Sequence, residues 1–163
     1  MTLNTDARLP RRMALETVLL AVGGGSDDQI DRMAAFAADI AAPAGATIVL
    51  GHVFTEADYD DALDRLEFDA DTDVTPDAVA GRNVAVRHLR ERFDAQDIDV
   101  EHTGAIGQRA EGVIGFVEET DADLLAVGGR RRSPTGKAVF GSTAQEILLD
   151  APCPVTFVKS ESA

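Results

Sequence analysis

The stretch TVLLAVGGGSDDQ, residues 17–29, decides the fold of this 163-residue chain. Its first part, Thr17–Val22, is a short apolar run that ends in three glycines, which is typical of a strand buried on both faces. Ser26 and Gln29 then match a capping box, in which the two side chains satisfy backbone N–H groups at the start of a helix. A buried strand that turns directly into a helix predicts the first half of a β-α-β unit.

The same alternation of strand and helix patterns continues to the end of the chain. Three further apolar runs follow, at Thr47–Phe54, Ala122–Gly128 and Pro154–Lys159, together with an alternating strand pattern at Ile98–Gly104. Helical spacing separates them, including a helical pattern over residues 77–93. Strands that are apolar along their whole length argue for a parallel sheet covered on both faces. The sequence therefore predicts one α/β domain over residues 13–160, with a five-stranded parallel sheet and helices on both faces.

Two segments are expected to lie outside this regular architecture. Residues 1–12 are predicted to be a disordered extension, because the strand pattern starts only after Met13. Residues 55–76 are crowded with carboxylates and have few cations, so repulsion predicts a mobile, solvated connection with at most a transient turn around Leu63–Phe68. A metal site is the weaker interpretation of these carboxylates, because they lack the spacing of a calcium-binding loop.

The charge balance excludes several classes of partner. The chain has 29 Asp and Glu against 15 Lys and Arg, a formal net charge of −14. Such a surface repels nucleic acid and anionic membranes. No apolar run approaches the ~20 residues of a membrane span, and the N-terminus lacks a signal-peptide pattern, so a cytoplasmic location is expected. The acidic, lysine-poor composition favours a halophilic source over an ordinary acidic protein.

One basic stretch contrasts with this acidity. VGGRRRSPTGKAVFGSTAQ, Val127–Gln145, carries three arginines at 130–132 and Lys137, and it contains no carboxylate. Its Gly-Lys pair suggests a Walker phosphate loop, but the spacing excludes one. The first glycine of that motif would fall at Arg131, and the position after the lysine is Ala138 rather than serine or threonine.

A looser phosphate-binding arrangement remains possible in the same stretch. The dinucleotide-binding fingerprint fails, because its third glycine would be Asp28. Gly128 ends the fourth strand pattern, whereas Gly141 and Ser142 stand at the start of a predicted helix with a second capping-box pattern. Ser142 can either cap this helix or donate its hydroxyl to a phosphate oxygen. Free N–H groups and the helix dipole favour an anion at such a helix start.

These residues carry a resemblance to a known family. From about Met13 to Ser160 the chain resembles the universal stress protein family, whose signature G-x2-G-x9-G-[ST] follows the fourth strand. Gly128, Gly141 and Ser142 match it, with Arg131 at the remaining glycine position. TVLLAVGGGSDD, GHVF and LLDAPCPVTFVK are similar to the family's first strand and turn, second strand, and closing helix and strand.

The resemblance implies a fold, a ligand and an assembly. The fold is the adenine nucleotide alpha hydrolase-like, Rossmann-like sheet of order 3-2-1-4-5, and the assembly is a homodimer through the last strand, residues 154–159. The ligand is ATP or a similar adenine nucleotide, with no metal of the protein's own. Transferred to this sequence, the family's binding positions are Gly23, Val53, Gly128, Arg131, Gly141 and Ser142. The predicted site also includes their neighbours Ala21, Val22, Val127, Arg130 and Thr143.

Two departures keep alternatives open. Arg131 stands where ATP-binding members have glycine, and Gly23 where they have aspartate. Arg131 could turn outward and bind phosphate, or contact carboxylates of a second subunit. The expected function is a stress-response protein that binds a nucleotide, and the alternative is a dimeric interaction module of the same family without nucleotide. No catalytic arrangement of side chains is evident, so an enzyme is not expected, with slow ATP hydrolysis as a third interpretation. His52 is expected to be a packed strand residue.

Overall fold

The computed structural model describes residues 14–23, 26–68, 73–129 and 141–159. The predictions for residues 1–12 and for Arg130 and Arg131 lie outside these ranges. In chain order the elements are β1 (Thr17–Ala21), α1 (Asp27–Ala44), β2 (Thr47–Phe54), α2 (Glu56–Arg65), α3 (Pro76–Gly81), α4 (Val84–Asp94), β3 (Val100–Ile106), α5 (Arg109–Thr120), β4 (Leu124–Gly129), α6 (Ser142–Asp150) and β5 (Val155–Lys159).

The strands form one parallel sheet in the order β3-β2-β1-β4-β5. This confirms the predicted five-stranded sheet and its order. β1 lies at the centre, and its Leu19 is in register with Val49 of β2 and Leu125 of β4. All three side chains are buried, as expected for a strand covered on both faces.

Helices cover both faces of the sheet. Val18 and Leu20 point to one face and pack with residues of α1 and α4, such as Phe93. Leu19 points to the other face and packs with residues of α5 and α6, such as Phe116. Val18, Leu19 and Leu20 have no exposed surface, and burying such a side chain contributes about 1.5–3 kcal/mol each. The two apolar clusters therefore hold the helix layers against the sheet.

α2 occupies part of the segment for which the sequence predicts an irregular, mobile connection. Thr55 caps it, its Oγ1 accepting a hydrogen bond from the backbone N–H of Asp58 at 3.1 Å. Carboxylates in the first turn and Arg65 in the last turn complement the helix dipole, so the charges support this helix. Tyr59 and Leu63 pack on the cluster that contains Phe54. Residues 56–65 are therefore helical, and the predicted turn around Leu63–Phe68 falls at the end of this helix.

The helical pattern over residues 77–93 is divided into α3 and α4. Asn83 starts α4, its Oδ1 accepting hydrogen bonds from two backbone N–H groups of the first turn. α3 packs on β3, the outer strand of the sheet. Asp77 Oδ1 accepts a hydrogen bond of 2.7 Å from the Gly104 N–H and one of 3.0 Å from Thr103 Oγ1. α3 thus covers part of an edge that would otherwise expose its backbone groups.

Within the described ranges, no helix is both long enough and apolar enough to cross a bilayer.

Candidate functional site

A cavity of about 410 Å³ opens at the carboxyl ends of the central strands. The helix that follows β1 lies on one face of the sheet, and the helix that precedes β4 lies on the other. Two neighbouring parallel strands whose connections lie on opposite faces leave a crevice at their carboxyl ends. The fold alone therefore creates this space.

Nine of the eleven residues proposed from the sequence surround this cavity. They are Ala21, Val22, Gly23, Val53, Val127, Gly128, Gly141, Ser142 and Thr143. The remaining two, Arg130 and Arg131, belong to the part of the chain that the structure does not describe. Strand ends that are distant in sequence are thus brought together with the start of α6.

His52 lines the cavity next to the end of β1. Its Nδ1 lies 2.7 Å from the carbonyl oxygen of Val22, so Nδ1 carries the hydrogen and donates it. Burial lowers the pKa of His52 below its ordinary value and nearby Arg109 lowers it further, whereas the hydrogen bond to Val22 and the carboxylate of Asp58 raise it. His52 is therefore neutral at pH 7, with Nε2 as an acceptor. Its ring also packs edge-on against Phe54, so it is a packed strand residue that contributes to the cavity as well.

Two side chains of α1 form the wall that faces Gly128. A Cβ atom at Gly128 would lie 2.7 Å from Gln29 Nε2 and 3.0 Å from Met33 Sδ. Both distances are shorter than an ordinary contact, so glycine is needed for these side chains to keep their positions. The sequence interpretation did not include Gln29 or Met33 in the site. Their four-residue spacing, which puts both on one face of α1, is the signal that could have found them.

α6 begins without a side-chain cap. Gly141 is the N-cap residue, and Ser142 is the first helical residue, so the prediction of a cap from the Ser142 side chain is wrong. The reason is the backbone at Gly141, which takes the extended conformation that an N-cap residue requires. α1 to α4, in contrast, each have a side-chain oxygen on their first-turn N–H groups. The start of α6 therefore presents N–H groups and two exposed hydroxyls to the cavity.

A second cavity of about 460 Å³ lies between the starts of α5 and α6. The chain enters α5 through Gly107, whose φ of +142° strains any other residue. Arg109 is the first residue of α5, and no side chain caps this helix either. Arg109, Ser142 and Thr143 line both cavities, so they form the wall that the cavities share. The sequence interpretation also missed Arg109.

The first cavity is unlike the acidic surface around it. Among its described lining residues none is a carboxylate, and Arg109 is the one permanently charged group. The described residues also contain no group of three or more His, Cys, Asp or Glu side chains arranged to hold a metal ion. Apolar walls, uncapped N–H groups and one cation suit a ligand with an apolar, flat part and an anionic part.

Comparison with curated proteins finds two relatives. A universal stress protein of Mycolicibacterium smegmatis is 34% identical over 88 residues, which cover 53% of this chain and 68% of the relative. A universal stress protein of Thermus aquaticus is 28% identical over 151 residues, which cover 88% of this chain and 98% of the relative.

Solved structures with the same fold include complexes with nucleotides. A universal stress protein in complex with cAMP has a TM-score of 0.63, 19% identity, and coverage of 90% of this chain and 98% of its own. An Archaeoglobus fulgidus universal stress protein in complex with dAMP has a TM-score of 0.56 and 22% identity, and the match covers 88% of this chain and 98% of that protein. An Arabidopsis thaliana family member with AMP bound has a TM-score of 0.61 and 17% identity, and the match covers 90% of this chain and 93% of that protein. At these identities the likeness establishes the fold.

The family model of the universal stress protein family matches residues 14–159. This range includes all five strands and all described residues of the cavity lining. This chain therefore belongs to the universal stress protein family.

Proposed function

We propose that this chain is a stress-response protein that binds an adenine nucleotide, ATP or a similar one, in the cavity at the carboxyl ends of β1, β2 and β4. The observation that carries the proposal is the convergence of nine sequence-matched residues on one cavity. The AMP, dAMP and cAMP complexes of proteins with this fold support the choice of ligand class.

The described residues fit the base and sugar of such a ligand. Val53, Val127 and Met33 supply apolar walls, which suit the faces of a purine ring. Gln29 and the neutral imidazole of His52 add polar groups that can accept or donate hydrogen bonds. A volume of about 410 Å³ falls within the range of ~300–1,000 Å³ that is usual for small-molecule pockets.

The start of α6 fits the phosphate. Gly141 has open space around its Cα, and its extended backbone leads straight into the first turn. N–H groups of an uncapped first turn and the helix dipole attract an anion, and the hydroxyls of Ser142 and Thr143 can add hydrogen bonds. Gly128, on the facing strand, permits close approach of the chain to the ligand. The basic residues 130–132 are not needed for this part of the proposal.

The proposed role of the site is binding rather than turnover. Within the described lining, no nucleophile is paired with a base, and His52 uses Nδ1 to hold Val22. Binding would act through the shape of the surface around α6 and β5. β5 is the outer strand of the described sheet and pairs on one side with β4, and no other described strand pairs with its second edge, which is where a second copy would bind. A homodimer through residues 154–159 and a cytoplasmic location complete the proposal.

Titration calorimetry with ATP, AMP and cAMP tests the proposal, with GMP as the control for the base. We expect saturable heat with at least one adenine nucleotide and weaker heat with GMP. Ser142→Ala should weaken AMP binding about tenfold, the loss expected for a hydrogen bond to a charged group. The matched control is Thr75→Ala, which removes a hydroxyl that caps α3, away from both cavities, and should leave binding unchanged. No heat with any adenine nucleotide would favour the interaction module without nucleotide.

A further inference from the structure

We infer that Arg109 is the residue that selects phosphate-bearing nucleotides over free nucleosides, by binding the phosphate at the wall shared by the two cavities. The inference rests on the proposed function and adds a specificity-determining residue to that site. It is carried by the position, the charge and the lack of partners of this one side chain.

The position of Arg109 is where a bound phosphate would lie. Arg109, Ser142 and Thr143 are common to the linings of both cavities. A ligand whose base lies between the strand ends and whose phosphate reaches the start of α6 must bring the phosphate to this shared wall. A guanidinium group can meet a phosphate with two parallel hydrogen bonds.

Arg109 is the described cation of the site. The first cavity contains no described carboxylate, and the second contains Glu146 and no other described acidic residue. The whole chain has 29 acidic and 15 basic residues, whereas the described lining of the first cavity has one arginine and no acidic residue. The local field therefore favours an anion at the wall that Arg109 shares with Ser142.

Among the described residues, Arg109 also has no hydrogen-bond or ion-pair partner. In the described ranges no hydrogen bond, ion pair or ring contact involves its exposed side chain. It stands at the start of α5, where the helix dipole disfavours a cation, and that helix has no side-chain cap. An anion at this place would be attracted both by the guanidinium and by the N–H groups of α5. The local arrangement is thus one that a bound anion improves.

The electrostatic coupling between Arg109 and His52 supplies an independent readout. Arg109 contributes to the lowered pKa of His52, although burial is the larger cause. A phosphate bound to Arg109 would neutralise this contribution, and the pKa of His52 would rise. Adenosine, which carries no charge, would not have this electrostatic effect.

The test compares Arg109→Gln with Arg87→Gln. Arg87 is exposed on α4, lines neither cavity, and its replacement makes the same change in net charge. We expect Arg109→Gln to weaken AMP binding by tenfold or more and to leave adenosine binding unchanged, whereas Arg87→Gln affects neither. Arg109→Lys, which keeps the charge but loses the two-pronged geometry, should fall between the parent and Arg109→Gln.

The second measurement follows the His52 imidazole by NMR during a pH titration. We expect AMP, but not adenosine, to raise the pKa of His52 in the parent, and Arg109→Gln to raise it without any ligand. If the parent and Arg109→Gln prefer AMP over adenosine to the same degree, the inference about Arg109 is overturned while the proposed function stands. If the parent binds neither compound, the proposed function itself fails. Thermal unfolding of each variant checks that the fold is retained.

Discussion

Replacing Gly112 by alanine tests how α5 is held against the wall of the cavity. Gly112 faces Val53 of β2, and a Cβ atom at this position would lie 2.5 Å from Val53 Cγ2 and 2.9 Å from Cγ1. Ordinary contacts begin near 3.4 Å, so the helix or the Val53 side chain must move by about 1 Å. Forcing a methyl group into packed space costs about 1–3 kcal/mol, and alanine in a helix interior returns about 1 kcal/mol.

Gly115, one turn further along α5, is the matched control. A Cβ atom there meets nothing within 4 Å, so Gly115→Ala should raise the free energy of unfolding by about 1 kcal/mol. Both variants gain the same helix propensity, and the difference of about 1–3 kcal/mol between them isolates the cost of packing against Val53. At ~2–4 °C per kcal/mol for a chain of this size, thermal and urea unfolding resolve it.

The same pair of variants connects packing to binding. Val53 lines the cavity, so Gly112→Ala, which displaces Val53, should weaken AMP binding. Gly115→Ala, which leaves Val53 in place, should not. Equal stabilities for the two variants would refute the reasoning, because they would mean that α5 does not press on Val53. Equal AMP affinities with unequal stabilities would refute only the part that places the nucleotide against Val53.

Three further predictions concern pH, charge and salt. His102 Nδ1 accepts a hydrogen bond from Arg90, and burial and then Arg90 lower the pKa of His102. The unfolded chain takes up this proton near pH ~6.5 and the folded chain only at lower pH, so stability should fall as pH drops below ~6.5. Urea unfolding at pH 7.5 and 5.5 should show a smaller loss of unfolding free energy in His102→Gln than in the parent. An identical loss in both proteins would contradict this prediction. Gly141→Asp should stabilise α6 by a few tenths of a kcal/mol in thermal unfolding and weaken AMP binding more than tenfold in calorimetry. Thr75→Asp makes the same change in charge at the cap of α3, outside both cavities, and should not weaken binding. If the acidic surface reflects a halophilic source, the urea midpoint should rise from dilute buffer to molar KCl, and full stability in dilute buffer would count against it.

The sheet was predictable from the sequence because its signal is local. β1, β2 and β4 are short apolar runs that end at a glycine or a polar residue, and their burial makes this pattern clear, whereas β3 alternates polar and apolar residues. The strand order required more, since no local pattern encodes which strands are neighbours, and it came from the resemblance to a family. α2 was missed because its local signal is weak. Its dense carboxylates obscured an apolar stripe of Tyr59, Ala62, Leu63 and Leu66, whose helical spacing matches the side that packs on Phe54.

The site was predictable where backbone geometry determines it. Glycines and small residues at strand ends and at the start of α6 are recognisable from their positions, and those described line the cavity. Gln29, His52 and Arg109 were not assigned to the site, because they come from three different elements and the folded chain brings them together. An arginine at the start of a helix, against the preference of the helix dipole, is a sequence signal that could have selected Arg109.

Ser142 shows how a locally favourable arrangement can give way at a binding site. The pattern at residues 142–145 predicts a capping box, and the chain instead caps α6 with Gly141, which has no side-chain oxygen. α1 to α4 have such an oxygen, and α5 and α6, which meet at the shared wall of the two cavities, do not. A capping oxygen would occupy the N–H groups that a phosphate needs, and a capping aspartate would also add negative charge beside Arg109. Each uncapped helix forgoes about 1 kcal/mol of local stability, and a site that binds an anion recovers that stability when the ligand is present.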